Sequence, residues 1–508
     1  MTATQDVDVL RTRNAPLDMS AASFRAAGHD LVNRIADWLD AMPEGPVTHD
    51  EAPGAIRALI GANRGVPVNG TDARPLLENA ANLLFDHSLF NGHPRFFGYI
   101  TSSPAPIGML GDLLASAVNA NVGAWRLSPM ATEIEAQTIR WIAELIGYPA
   151  SCGGLMVSGG NMANLVCFWA ARAARAGWDV RQQGLLADGA RPLRVYASAE
   201  THTWIQKAAD LSGLGTAAIR WIPALADQRM DVAALERAIA ADVAAGDRPL
   251  LVVGTAGSVS TGAVDPLPAI AAICRAHGAW FHVDGAYGGF AAAAPDAPAD
   301  LAGLAEADSI AVDPHKWLYA PLEAGCALVR DAEHLRAAFA YHPPYYHFEE
   351  RVTNYVDFGP QNSRGFRALK VWLALRQVGA SGYRAMITDD IRLARRLADV
   401  VAAQRELEPT SQALSITTFR FVPVDLRPRA AEPAIATYLD ELNKALLDRL
   451  QRGGELFVSN AVLGGRYVLR ACIVNFHTAD ADIDAIPDIV LRVGRAVDAE
   501  RRPARAIS

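Results

Sequence analysis

The sequence predicts an α/β protein with a mainly parallel sheet and helices on both of its faces. Short apolar runs alternate with helical stretches through the middle of the chain, which is typical of successive βα units. The runs are apolar along their length, as expected of strands buried within such a sheet. Polar and glycine-rich segments follow several runs, where the carboxyl ends of parallel strands bind ligands.

Six apolar runs are predicted as strands, with helical stretches between several of them. The strands are residues 193–197, 219–222, 250–253, 280–283, 309–312 and 326–329. Residues 233–245 and 268–277 have helical patterns, and Gly278 closes the second of these helices. A long helix at 364–378 ends at Gly379 and separates this part of the chain from the rest.

Both ends of the chain differ from the middle. Ser20 can cap a helix that runs to about Met42, and a second helix covers residues 73–89. After residue 380, amphipathic helices flank short strands, which indicates an α+β region. The elements predicted there are helices 391–404 and 433–451 and strands 415–421, 456–459 and 467–474. The expected domains are N-terminal helices that pack on a partner subunit (1–92), a large α/β domain (93–379) and a small α+β domain (380–508).

The composition argues against several classes of function. The formal net charge is −8 and no basic stripe is present, which argues against nucleic acid as a partner. The five cysteines lie far apart and form no ligand cluster, so we expect neither a zinc site nor a disulfide framework. The sequence also has no membrane span and no secretory signal, and we therefore expect a cytoplasmic protein.

Two charged residues directly follow predicted strands. Lys316 stands in Asp313-Pro314-His315-Lys316-Trp317-Leu318, where partial desolvation would make its amine a nucleophile toward an aldehyde. An ordinary surface lysine is the alternative. Asp284 precedes Gly285 and Ala286, small residues that let a flat ligand approach the backbone. Its carboxylate can pair with a protonated ring nitrogen, or it can serve as a turn or cap residue.

Three further segments carry candidate binding residues. Gly159, Gly160 and Asn161 precede an apolar helix, whose exposed N–H groups suit a phosphate, although a simple turn and cap is the alternative. His202 lies at a strand-to-helix junction, where it could stack on a planar cofactor or act as a capping residue. Thr255 offers a hydroxyl group in another loop that follows a strand.

These segments can converge on one edge of the sheet, and together they resemble a known family. The family is the group II decarboxylases that depend on pyridoxal 5′-phosphate (PLP), which include aromatic-L-amino-acid, histidine and glutamate decarboxylases. The resemblance covers roughly residues 18–495 and is strongest to the aromatic-amino-acid branch. The matching segments are 93–99, 158–165, 202–215, 255–266, 282–287, 313–318, 366–372 and 469–475.

The resemblance implies PLP fold type I, the aspartate-aminotransferase type, with a seven-stranded sheet and a homodimer whose active site lies at the subunit interface. It implies that Lys316 forms the internal aldimine, that Asp284 pairs with the pyridine nitrogen and that His202 stacks on the ring. It also implies that Gly159, Gly160 and Asn161 bind the phosphate, with help from His315 or Asp313. Ala286 would pack against the ring, and Thr255 would lie near the 3′-oxygen or near Asp284. Ser363 would reach the phosphate of the neighbouring subunit and so act in trans.

The resemblance also implies residues that meet the substrate. Tyr345, or Tyr346 as the alternative, aligns with a loop tyrosine that protonates the substrate carbon after CO₂ leaves. A tyrosine at this position favours plain decarboxylation over aldehyde formation. Tyr99, Ile100 and Trp125 align with the substrate pocket.

The reaction expected from this resemblance is the PLP-dependent decarboxylation of an L-amino acid to its amine and CO₂, through an aldimine and a quinonoid intermediate. Aromatic substrates are the first choice. Asn161 and Gly365 depart from the family pattern, and Arg126 near the pocket leaves an acidic or polar substrate open. An aldehyde synthase on the same scaffold and an inactive phosphate-ligand-binding protein are the remaining alternatives.

Overall fold

The structure, a computed structural model, describes residues 15–343 and 352–502. One compact unit comprises the chain up to Phe90 together with Arg452–Gly454, and a second comprises Asn91–Gln451 and the chain from Glu455. The helices before Phe90 are α1 (Ala21–Ala41), α2 (Pro53–Leu59) and α3 (Ala73–His87). Ser20 caps α1, because its hydroxyl group accepts a hydrogen bond from the backbone N–H of Ser23 at 3.1 Å. The domain boundaries at 92 and 379 stay predictions.

Seven strands of the second unit form one sheet. They are β1 (Gly153–Val157), β2 (Leu193–Ser198), β3 (Ile219–Ile222), β4 (Arg248–Thr255), β5 (Trp280–Asp284), β6 (Ser309–Val312) and β7 (Gly325–Val329). Their order across the sheet is β1-β7-β6-β5-β4-β2-β3. The neighbours from β3 to β6 pair in parallel, whereas β7 is antiparallel to both β6 and β1. The predicted α/β fold with a mainly parallel seven-stranded sheet is confirmed.

The strand β1 is absent from the strands that the sequence predicts because it begins with two glycines, which have low strand propensity. The packing requires them. A Cβ atom on Gly153 would lie 2.7 Å from the Cα of Ala332, and one on Gly154 would lie 2.5 Å from the carbonyl oxygen of Ala327. The glycines therefore allow β1 to approach β7 and the helix that follows it.

The remaining helices cover the sheets of the second unit. They are α4 (Pro106–Val118), α5 (Pro129–Leu145), α6 (Gly160–Arg175), α7 (Val180–Gln183), α8 (Trp204–Leu211), α9 (Val232–Ala244), α10 (Leu267–His277), α11 (Ala332–Phe339), α12 (Ala368–Ala402), α13 (Pro433–Arg452) and α14 (Asp480–Arg501). The sequence predicts separate helices at 364–378 and 391–404, but both belong to α12. Gly379 only kinks this helix, with a φ of 70°.

A second, antiparallel sheet has the order β10-β11-β9-β8. Its strands are β8 (Leu407–Ala413), β9 (Ile416–Phe421), β10 (Ser459–Leu463) and β11 (Arg466–Cys472). The edge strand β8 is not predicted by the sequence pattern, because it is polar and contains Pro409, and proline in a sheet is tolerated at an edge. Within the described ranges, no helix is long and apolar enough to cross a membrane.

Candidate active site

A cavity of about 320 Å³ opens in the second unit, where the loops after β1, β2, β4, β5 and β6 meet. This edge is where a parallel sheet is expected to bind ligands. The predicted residues that line the cavity are Gly159, Gly160, Asn161, His202, Thr255, Asp284, Ala286, Asp313, His315 and Lys316. Residues separated by more than 150 positions in the sequence therefore meet in one place.

Lys316 lies in a turn that begins directly after β6. Its backbone N–H donates a hydrogen bond to the carbonyl group of Asp313 at 2.9 Å, and its Nζ lies 3.0 Å from Asp313 Oδ2. The other carboxylate oxygen of Asp313, Oδ1, is buried and has no hydrogen-bond partner among the described residues. Because an unpaired buried oxygen is costly, it marks a position where a ligand can donate a hydrogen bond.

His315 lies beside this pair. Its Nδ1 is 2.6 Å from the carbonyl oxygen of Ala324, and its Nε2 is 3.7 Å from Asp313 Oδ2. Burial lowers the pKa of His315 below its usual value, against the opposing effect of Asp313. The ring is therefore neutral near pH 7, with its proton on the Nδ1 that faces the carbonyl group.

Asp284 ends β5 and faces the cavity from a nearly buried position. Its Oδ2 accepts a hydrogen bond from Trp204 Nε1 at 2.7 Å, and its Oδ1 accepts one from the backbone N–H of Ala286 at 3.2 Å. These two donors fix the orientation of the carboxylate. The negative charge is thus held at the base of the cavity, where it can meet a protonated ring nitrogen.

Thr255 is the register partner of Asp284 in the pairing of β4 with β5. Its Oγ1 is buried and has no hydrogen-bond partner in the described part of the chain. Its backbone N–H donates to Asp265 Oδ2 at 2.8 Å. Burial raises the pKa of Asp265 to about 6, although the hydrogen bond from the backbone N–H of Thr255 favours the charged form of Asp265. Asp265 therefore holds the loop that presents the Thr255 hydroxyl group.

The glycine segment before α6 forms a concave surface at the N-terminus of that helix. Gly159 has a φ of 104°, which favours glycine. A Cβ atom on Gly160 would lie 2.7 Å from Asp313 Oδ2 and 3.1 Å from the Cβ of Ala286. A side chain at position 160 would therefore displace these cavity groups. The first N–H groups of α6 have no partners within the helix, so they can bind an anion such as a phosphate.

His202 reaches the cavity from the loop between β2 and α8. The residue is exposed overall, but the ring is partly withdrawn from water, and this desolvation lowers the pKa of His202. Its Nδ1 accepts a hydrogen bond from the backbone N–H of Trp204 at 3.3 Å. The tautomer with a proton on Nε2 is therefore favoured, which leaves a neutral, flat ring at the mouth of the cavity.

These groups fit the predicted cofactor, PLP. The cavity offers an anion-binding helix terminus for a phosphate, an amine on Lys316 and a carboxylate on Asp284 for a protonated ring nitrogen. It also has two buried oxygens without partners among the described residues, Thr255 Oγ1 and Asp313 Oδ1. A ligand with several polar substituents on a planar ring would satisfy such groups.

The other predicted site residues that the structure describes do not line this cavity. Tyr99 is 56% exposed and has a φ of 51°, while Ile100 is buried in the core. The indole N–H of Trp125 donates to Glu133 at 2.9 Å, and Ser363 is exposed. Their roles in the substrate pocket or in trans stay predictions. Tyr345 and its alternative Tyr346 lie outside the described residues.

Several cavity residues are not predicted by the sequence pattern. Glu200 follows β2 two residues before His202, so the rule that loops after strands form the site could have identified it. Leu322 and Glu323 lie in the long connection from β6 to β7, where no sequence pattern marks them. Glu323 is 2.7 Å from the Nε of Arg367. The cavity wall therefore contains acidic side chains as well as the amine of Lys316.

Asp390, on α12, binds the segment that carries Lys316. Its Oδ2 accepts hydrogen bonds from Trp317 Nε1 at 2.9 Å and from the hydroxyl group of Tyr319 at 2.7 Å. Burial raises the pKa of Asp390 to about 7, because the charged form is disfavoured more than these donors stabilise it. Asp390 thus anchors two residues of the segment that follows Lys316.

Replacing Asp390 with asparagine is expected to change how stability depends on pH. The folded-state pKa of about 7 exceeds the unfolded value, so the stability from Asp390 is present below pH 4 and is lost as the pH rises through 7. The free energy of unfolding of the native protein, relative to Asp390→Asn, should fall by roughly 2–3 kcal/mol between pH 5 and pH 8. Urea unfolding at both pH values measures this, with the exposed Asp389→Asn as control. An unchanged difference would contradict the prediction.

Comparison with known proteins shows what the chain resembles. Residues 53–422 match the model of the pyridoxal-dependent decarboxylase conserved domain. The aromatic-L-amino-acid decarboxylase of Bacillus atrophaeus is 32% identical over 472 residues, which cover 92% of this chain and 94% of that protein. Tyrosine decarboxylase 4 of Petroselinum crispum is 30% identical over 462 residues, which cover 89% of each chain.

Solved structures resemble the fold along nearly its whole length. The structure of Oryza sativa TDC with PLP and tryptamine has a TM-score of 0.87 at 29% identity and covers 95% of this chain and 99% of that one. Mouse CSAD has a TM-score of 0.88 at 28% identity, with coverage of 94% and 99%. The similarity thus includes both sheets of the second unit.

Proposed function

Since this chain belongs to the family of pyridoxal-dependent decarboxylases, we propose that it converts an aromatic L-amino acid to the corresponding amine and CO₂. The chain is a carboxy-lyase, and its cofactor is PLP. The observation that carries the proposal is the convergence of Lys316, Asp284 and the Gly159–Gly160 segment on one cavity. The choice of an aromatic substrate rests on relatives that are named for aromatic, tyrosine and tryptophan substrates.

The cofactor supplies an electron sink for the electron pair that remains when CO₂ leaves. In the proposed mechanism Lys316 would hold the cofactor covalently through Nζ, the amine that faces the cavity. Asp284 keeps a proton on the ring nitrogen, which its fixed carboxylate orientation supports. Gly159 and Gly160, with Asn161, bind the phosphate group, assisted by His315.

The remaining residues hold the reacting groups in place. When the cofactor is bound, His202 would stack on the face of the ring, Ala286 would pack against the ring and Thr255 would donate its unpaired hydroxyl group to a ring substituent. Together they would position the substrate for the loss of its carboxylate, which is a positioning task. Tyr345 acts as the acid that protonates the substrate carbon, and Tyr99, Ile100 and Trp125 line the pocket of the assembled enzyme.

A product assay over the twenty amino acids, dopa and 5-hydroxytryptophan tests this proposal. We expect CO₂ and an amine in equal amounts from one or more aromatic substrates. Release of an aldehyde, ammonia and peroxide would instead favour an aldehyde synthase, such as the Rhodiola rosea 4-hydroxyphenylacetaldehyde synthase that is 25% identical to this chain. CO₂ from acidic substrates alone would contradict the aromatic assignment, and no CO₂ from any substrate would contradict decarboxylation.

We also propose that the enzyme is a homodimer with its active site at the subunit interface. The helix α4 supports this, because Leu110, Leu113, Leu114 and Val118 are each more than half exposed and form one apolar stripe. The buried side of α4, beside this stripe, packs through Gly111 on Lys370. A second copy of the chain would cover the stripe.

We further propose a location in the cytoplasm. The five cysteines are free, which supports a location in the reducing cytoplasm.

Sedimentation should give twice the chain mass of 54.3 kDa for the native protein. Leu114→Glu places a charge in the proposed interface, so we expect mostly monomer and a decarboxylation rate reduced about tenfold or more. Leu186→Glu is the matched control, because Leu186 is almost fully exposed and lies outside this stripe. A monomeric native protein that is fully active would contradict the proposed dimer.

A further inference from the structure

Trp204 connects two residues that face the cofactor cavity. It is the first residue of α8 and is only 1% exposed. Its side chain donates through Nε1 to Asp284 Oδ2 at 2.7 Å, and its backbone N–H donates to His202 Nδ1 at 3.3 Å. No sequence pattern indicates an indole N–H in the site, because a tryptophan after a strand is normally a core residue.

His282 packs against the indole ring of Trp204 and holds it in position. The two rings are arranged edge to face, with centroids 5.5 Å apart and an angle of 82°. His282 is itself held by Asn164 Oδ1, 2.7 Å from Nε2, and by Ser309 Oγ, 2.8 Å from Nδ1. Burial lowers the pKa of His282 to about 4, so this ring is neutral near pH 7. The indole group therefore has a single well-packed orientation.

The carboxylate of Asp284 is held at both oxygens. Oδ2 receives the indole N–H of Trp204, and Oδ1 receives the weaker, 3.2 Å hydrogen bond from the backbone of Ala286. Without the indole donor, the carboxylate could rotate about χ2 and would lose its shorter hydrogen bond. A hydrogen bond to a charged group is stronger than one between neutral groups, so its loss should be measurable at the bound cofactor.

We propose that Trp204 is a positioning residue that acts through Asp284, holding this carboxylate toward the ring nitrogen of PLP and thereby strengthening cofactor binding. The inference rests on the role proposed above for Asp284. The competing explanation is that Trp204 only fills the core. Core packing would affect the stability of the apoprotein, whereas positioning requires that the effect on PLP binding depend on Asp284.

The test uses titration of the full-length apoprotein with PLP, followed by absorbance. Trp204→Phe keeps an aromatic ring but removes the N–H, and we expect the PLP dissociation constant to rise about tenfold. Trp204→His is the rescue variant, because its imidazole ring restores an N–H donor that can reach Asp284. Trp169→Phe is the matched control, since Trp169 donates to Ser212 Oγ at 2.9 Å and does not line the cavity.

The same substitution in an Asp284→Ala background separates the two explanations. Positioning predicts that Trp204→Phe has no further effect on PLP binding there, that Trp204→His binds PLP more tightly than Trp204→Phe, and that Trp169→Phe stays within about twofold of the native protein. An unchanged dissociation constant for Trp204→Phe, or an equal loss in both backgrounds, would overturn the inference. A native protein that does not bind PLP would instead overturn the proposed function.

Discussion

Replacing Lys316 with alanine is expected to abolish covalent attachment of PLP and to lower the decarboxylation rate by at least about a thousandfold. The reason is that Nζ of Lys316 is the amine placed in the cavity beside the loops that bind the cofactor. The absorption band of the attached cofactor should disappear. In the native protein, borohydride should bleach this band and leave the cofactor on the peptide that contains Lys316.

Two variants distinguish chemistry from folding in this experiment. Lys316 lies 3.0 Å from the buried Asp313, so alanine also leaves that carboxylate without its cation. Lys316→Arg keeps a positive charge beside Asp313 but cannot replace the lysine amine in the covalent bond, so it should be inactive and yet as stable as the native protein. Lys207→Ala, at an exposed position on α8, should retain the absorption band. Persistent borohydride labelling in Lys316→Ala would contradict the assignment.

The sequence was sufficient for the strands that carry the site, because β4, β5 and β6 are buried and therefore apolar along almost their whole length. Residues that follow parallel strands must meet at one edge of the sheet, and this rule is enough to predict that Lys316, Asp284 and Thr255 lie together. The strand β1 is different. Its glycines are required by close packing against Ala332 and Ala327, and such a three-dimensional constraint leaves no apolar strand pattern.

The residues that hold the site residues in place could not be predicted from the sequence, for a related reason. Trp204 and Asp390 act through hydrogen bonds to residues 80 and about 70 positions away, Asp284 and the segment Trp317–Tyr319. A buried tryptophan resembles any core residue in the sequence, and an aspartate on an amphipathic helix resembles a surface residue. Only the fold shows which polar groups they meet. The pocket residues Tyr99, Ile100 and Trp125 are the converse case, because their role rests on the family pattern alone and stays a prediction: they do not line the cavity of the single chain.

The second large effect is expected for Asp284→Asn. Asparagine has nearly the same shape but lacks the negative charge that would keep a proton on the ring nitrogen, so the electron sink should be weakened. We expect the decarboxylation rate to fall by about 10²–10³-fold, the range seen when one preorganised electrostatic contact is removed. Single-turnover kinetics at saturating PLP should show the loss in the chemical step rather than in substrate binding.

A matched control is Asp308, which lies directly before β6 and contacts the other end of β5. Asp308 accepts a hydrogen bond from the backbone N–H of Phe281 at 2.8 Å, near the start of β5 and away from the cavity lining. Asp308→Asn should therefore keep its rate within about threefold, because it changes only a structural contact. If Asp284→Asn also stayed within threefold, a charged partner for the ring nitrogen would not be required. Comparison with Trp204→Phe then separates the contribution of the negative charge of Asp284 from that of its orientation. Trp204→Phe keeps the charge of Asp284 and removes only the hydrogen bond that orients the carboxylate.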